Sequence, residues 1–168
     1  PESWPVTNGF EVQENGDELT GLLNQGPYLF ILERRHISRL TFQTGPLIDG
    51  GIFHSANRGA INDRCHVTVD GSTYLLDEQG VYAFSGGQEA EPLSIQIQDI
   101  FRHSDDYYAI NWEASKWFHA VNSPGEETVR FYVALSGQDL PRHALAYSYR
   151  HQRWWVEEYP FPVAASCT

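Results

Sequence analysis

The sequence predicts an all-β protein made of antiparallel four-stranded sheets. Three observations lead there. Short apolar runs mix Val, Ile, Thr, Tyr and Phe, the side chains that suit a pleated surface. Gly, Pro, Asp and Ser punctuate those runs at close intervals. A pattern of apolar run, polar turn and second apolar run then occurs three times, as YLFILERRHISRL, STYLLDEQGVYAF and ALAYSYRHQRWWVE.

The first unit, about 8–45, holds strands over 18–24, 27–33 and 36–42. The middle unit, about 58–98, is the clearest. Its strand from residue 66 turns at Asp70-Gly71, a pair suited to the positive φ angles of a type I′ turn. Strands over 73–77 and 81–85 follow around a turn at 78–80, and after Gly86-Gly87 a fourth strand is predicted over 93–97. The third unit, about 112–162, reads as strands over 117–122, 128–135, 143–149 and 153–159. Segments 99–105 and 111–117 are each long enough for a short helical turn only. The first two polar turns lie about 44 residues apart, within the 40–50 residues typical of a β-propeller blade.

Burial pattern separates blades from the alternative, a β-sandwich. Sandwich strands have a wet face and alternate apolar with polar residues. YLFIL, VYAF and YVAL do not alternate, as expected of sheets covered on both sides. The expected architecture is therefore a partial β-propeller in one all-β domain, or a fragment of a larger ring. The chain starts at Pro1 and contains no Met, which predicts a piece cut from a longer product. Trp154 and Trp155 are neighbours on a strand, so they point to opposite faces. They cannot form one flat stacking platform, and each is expected to fill a gap between sheets.

Composition narrows function. The net charge is −11, which repels phosphate backbones and excludes wrapping of nucleic acid in a basic groove. No apolar run approaches the ~18 residues of a spanning helix. Cys65 and Cys167 match no zinc or redox spacing and read as two free thiols. His54, Asp63, Cys65 and His66 lack any metal-ligand spacing, so no metal or other cofactor is expected. No nucleophile elbow, phosphate-binding glycine loop or H-E-x-x-H stands in the chain, and adjacent acids such as Glu126-Glu127 diverge on a strand. The reading is non-enzymatic. The candidate partner contacts are Arg34 and Arg35 at a hairpin turn, with His103, Asp105, Asp106, Tyr107 and Tyr108 in the connecting run HSDDYY. A second basic turn, Arg150 to Arg153, is placed on the same rim as the first.

The succession LFILERRHISRLTF, GAINDRCHVTVDGSTYLLDEQGVYAFSGG and VRFYVALSGQDLPRHALAYSYRHQRWWVEEYPF resembles β-propeller regions of structural proteins of tailed bacteriophages. The phrase G-V-Y-x-F-x-G, standing at Gly80 to Gly86, is typical of those neck and tail components: hubs, nozzles and head-completion proteins that stabilise packaged DNA. The resemblance runs from about residue 20 to 165 and brings no catalytic residues. It implies an oligomeric virion protein at the head–tail connector, assembled in the host cytoplasm. Its partners would be other virion subunits or copies of itself, with neither nucleic-acid wrapping nor membrane contact. Family propellers have more than three blades, so three units alone do not close a ring. The alternative is a carbohydrate-recognition propeller module of a receptor-binding or extracellular protein. A glycan would then meet exposed aromatics such as Trp4, Trp112, Tyr107 and Tyr108.

Overall fold

A computed structural model describes residues 17–43, 49–87, 89–102 and 106–166. The described chain is mostly β and forms three four-stranded antiparallel sheets. The first contains β1 (Leu19–Gln25), β2 (Tyr28–Glu33), β3 (Ile37–Gln43) and β4 (Asp49–Ala56). The second contains β5 (His66–Val69), β6 (Ser72–Asp77), β7 (Gly80–Phe84) and β8 (Ala90–Pro92). The third contains β9 (His119–Ser123), β10 (Thr128–Val133), β11 (His143–Ser148) and β12 (Arg153–Glu158). Each sheet is a plain meander in which strands adjacent in sequence pair.

The turn chemistry accounts for the tight hairpins. Asp70 and Gly71 both have positive φ, at 49° and 81°, as the β5–β6 turn requires. Two predicted boundaries need correction. The first sheet has a fourth strand, β4, running to Ala56 and beyond the first predicted unit. The predicted strand over 93–97 is instead a pair of 3-10 turns over Ser94–Phe101, and the fourth strand of that sheet lies earlier, at 90–92. Ser94 causes the switch. Its Oγ accepts the Val81 N–H at 3.0 Å, taking the place of the ladder bond that a longer strand would make. Leu93, Ile95 and Ile97 do alternate, yet Ile95 is 69% exposed. The second helical segment, over 112–117, is a 3-10 helix as expected, capped by Asn111 Oδ1.

The middle sheet is covered on both faces, and its pleat decides which residue goes where. Leu75 pairs with Tyr82, and Leu76 with Val81. Leu75, Tyr82 and Phe84 join Leu23, Phe30, Leu32, Ile37 and Ala56 of the first sheet in one core. Leu76 and Val81 point the other way, into a second core with Val129, Phe131, Val133 and Leu145 of the third sheet. Phe30 and Phe84 meet edge to face at 5.1 Å across the first interface. Each such buried side chain contributes about 1.5–3 kcal/mol over leaving it in water.

The segment between β4 and β5 ties the three sheets together. Ala60 N–H donates to Glu33 O of the first sheet, and Ile61 N–H to Leu76 O of the second, each at 2.9 Å. Asn62 Nδ2 donates to Ser115 O at 2.7 Å and Phe118 O at 3.0 Å, at the entrance to the third. Arg58 forms a two-pronged pair with Asp77 and lies over the Tyr82 ring, whose hydroxyl donates to Gly59 O at 2.6 Å. Only glycine fits position 59, because a Cβ there would lie 2.1 Å from Glu33 O. Ala-Ile-Asn recurs at 109–111 before the third sheet, where Asn111 Oδ1 accepts Glu113 N–H much as Asn62 Oδ1 accepts Arg64 N–H.

First strands gather on one side of the stack. β5 lies alongside β9, Ala120 N–H donates to Arg64 O at 2.8 Å, and Gly21 of β1 lies against Asp63 just before β5. On the far side, Trp154 of β12 reaches Leu93, just after β8.

Candidate functional site

The residues expected to contact a partner divide into three groups. Arg34 is engaged within the chain: its guanidinium meets Glu78 at 2.7 Å and Glu18 at 3.3 Å, linking the β2–β3 turn to the β6–β7 turn. Arg35 is exposed, and its backbone N–H donates to Asp17 Oδ2 at 2.8 Å. His103 and Asp105 lie outside the described residues. Asp106 closes a turn, its carbonyl accepting Ala109 N–H at 3.0 Å. Tyr107 and Tyr108 are 64% and 63% exposed, with rings perpendicular at 5.2 Å, so the pair offers an edge and a face but no common plane.

The two basic turns occupy opposite ends of the stack. The Arg34 turn meets the 78–79 turn, whereas Tyr149, next to Arg150, meets Tyr74, close to the Asp70-Gly71 turn. Arg150 itself pairs with Glu127 at 3.0 Å. The expectation of one shared basic rim is therefore corrected. The counterpart of the β2–β3 hairpin in the third sheet is β10–β11, whose connection is long. The tight turn from Arg150 to Gln152 belongs to β11–β12, one hairpin later.

The tryptophans do face opposite ways, with different fates. Trp154 packs on Tyr147 at 4.7 Å and donates its Nε1–H to Leu93 O at 2.9 Å. Trp155 looks outward from the stack and is 39% exposed. It therefore does not fill a gap between the described sheets. Around it the outer face of the third sheet carries a polar and aromatic network. Arg130 grips both oxygens of Glu157, at 2.9 and 3.1 Å, and reaches Glu126 at 2.6 Å. Trp155 Nε1–H and the Tyr159 hydroxyl donate to the same Glu157 carboxylate at 2.8 and 2.7 Å. Burial alone would raise the Glu157 carboxyl, but these three donors hold it below the usual carboxylate range. His119 stacks on Tyr132 at 4.7 Å on this face. The face is preorganised and partly wet, with one Trp edge open to a neighbour.

A second constellation was missed by sequence reasoning. Asp17, Glu33 and His36 bring one oxygen, one oxygen and one nitrogen within 4.8 Å of each other on the outer face of the first sheet. Among the described residues, these are the donor atoms grouped closely enough to hold a metal. His54 stands next to His36, ring centroids 5.6 Å apart, rather than joining His66 or buried Cys65. Burial pushes the Cys65 thiol up, which leaves it an inert core residue. The signal in sequence was faint: Glu-Arg-Arg-His is a hairpin turn, and nothing local points to Asp17 or His54.

No family model matches the chain, and no curated protein shows significant similarity to it.

Proposed function

We propose that the chain is a non-enzymatic assembly module of a phage particle, three blades of a β-propeller that continues into neighbouring subunits of the neck or tail. One observation carries this reading: the middle sheet buries both faces against sheets of the same meander, with first strands gathered on one side and last strands on the other. A two-layer sandwich has no doubly covered sheet. The repeated Ala-Ile-Asn entry supports a common unit, and the phage resemblance supplies the setting. In this reading the flanking sheets are the joining surfaces. The outer face of the first presents Leu22 at 62% exposure, and that of the third presents Trp155. Acidic charge suits a channel past which DNA slides without adhering.

The test is association. Light scattering on the purified chain and co-sedimentation with assembled virions or tails should give a defined oligomer or a bound fraction, weakened by Trp155→Arg. A monomer that joins no particle fraction counts against it. Of the aromatics expected to meet a glycan, Trp4 lies outside the described residues, and Trp112 packs on Phe118 against the core rather than standing exposed. Glycan-array binding lost with Tyr107→Ala or Tyr108→Ala would instead favour a carbohydrate-recognition module.

A further inference from the structure

We propose that Asp17, Glu33 and His36, with His54 as a fourth donor, bind one divalent transition-metal ion of the zinc class. The inference stands apart from the assembly reading, because it rests on one end of the first sheet alone.

Strand register assembles the group. Glu33 ends β2 and His36 stands just before β3 across a two-residue turn, with Glu33 N–H donating to His36 O at 2.9 Å. Ser38 pairs with His54 of β4, so the pleat sets Glu33, His36, Ser38 and His54 on the same face. Asp17 arrives two residues before β1, whose Leu19 pairs with Glu33.

The spacing suits a metal. His36 Nδ1 lies 3.0 Å from Asp17 Oδ2 and 3.9 Å from Glu33 Oε2. Two ligands held at about 2.0–2.1 Å from a tetrahedral ion are about 3.3 Å apart, so small shifts of these side chains would close a site. Supporting donors already orient the carboxylates. Arg35 N–H holds Asp17 Oδ2, and the Ser38 hydroxyl holds Glu33 Oε1 at 3.4 Å.

Glu33 is the independent reason to expect a ligand. It is only 5% exposed, its Oε1 accepts the Ser38 hydroxyl, and its Oε2 faces His36 Nδ1 from 3.9 Å, beyond hydrogen-bond reach. A carboxylate so buried is costly unless something pairs with it. His36 cannot serve fully, because its Nδ1 is committed to Asp17. A dication satisfies both carboxylates at once. Imidazole donors favour zinc, nickel or cobalt over magnesium and calcium, which prefer all-oxygen shells.

The test uses the full chain stripped with EDTA. Calorimetric titration with ZnCl2 and absorption with Co2+ should show one equivalent bound, with the cobalt spectrum of a low-coordinate nitrogen–oxygen site. Glu33→Gln and His36→Gln should each abolish tight binding. Ser38→Ala should weaken it about tenfold, as expected for a residue that orients a ligand. His151→Ala, on an exposed turn far from the cluster, should leave it unchanged. If Glu33→Gln does not fold by circular dichroism, the half-exposed His36→Gln decides alone. Absence of zinc binding by the native chain, or native-like affinity in folded His36→Gln, overturns the proposal.

Discussion

His66, His119 and His143 are all partly or wholly covered, and burial holds each below the usual imidazole value of 6.5. Asp63 pulls His66 upward and Glu158 does the same to His143, but burial prevails in both. The sign follows from proton counting. A histidine whose folded value is depressed binds fewer protons folded than unfolded as pH drops through about 6.5, so acid favours unfolding. Glu33 works the other way, since its raised carboxyl takes up a proton more readily in the folded chain. Burial raises the Asp77 carboxyl too, and three depressed histidines against these two raised carboxyls predict a net loss of stability between pH 7.5 and 5.5, measured as a falling urea midpoint. His66→Gln should flatten that slope. A midpoint that rises on acidification would contradict the burial of these rings. None of this was legible in the sequence, because a histidine on a strand looks the same whether its face is dry or wet.

At the scale of the element, the two tryptophans of β12 form a built-in comparison. Trp154 fills the interface with the middle sheet through Tyr147 and Leu93, whereas Trp155 lies over the outer face and meets Glu157. Trp154→Ala should therefore cost about 2–4 kcal/mol, in the range of large-to-small core changes. Trp155→Ala should cost the isolated chain about 1 kcal/mol or less, as for most partly exposed sites. Chemical denaturation of both variants checks this, and equal losses would mean that the faces of β12 are assigned wrongly. Sequence gave their opposition through the pleat, but could not say which neighbour was present. Hairpins with Gly or Asp-Gly turns, such as β5–β6 and β6–β7, were equally readable. The failures share a physical cause. β4 follows the stretch 44–48 and contains Gly50-Gly51, so its pattern is weak. Leu93 to Ile97 alternate like a strand, but one serine hydroxyl bonded to Val81 N–H ends the ladder. The third unit was aligned one hairpin late because β10 and β11 are joined by a long connection. The Ala-Ile-Asn pair at 60–62 and 109–111 was the better ruler, for each asparagine Oδ1 accepts the N–H two residues on, ahead of its sheet. The metal-ligand cluster was hidden for a simpler reason. Its four residues are scattered from 17 to 54 and meet only through strand register.

Across the whole molecule, protection should grade from the centre of the stack outward. β6 and β7 are flanked by strands in their own sheet and by sheets on both faces, so their amides open only when both cores come apart. β12 is an edge strand with an outward face, and its backbone has one ladder partner, β11. Local opening there need disturb neither of the two cores completely. Hydrogen exchange at low protein concentration should therefore find Leu75, Leu76, Val81 and Tyr82 slowest, exchanging with the free energy of global unfolding, and β12 amides orders of magnitude faster. The same measurement reports on assembly. An edge strand bearing Trp155 and Val156 invites another sheet or subunit, and if copies of the chain join there, β12 protection must rise with concentration while β6 and β7 stay unchanged. Binding to the native form alone stabilises in proportion to the logarithm of partner concentration, so the rise should be graded rather than abrupt. Uniform protection of all twelve strands in the dilute monomer would refute the layered stack, because no single edge would then be weaker than the doubly covered sheet.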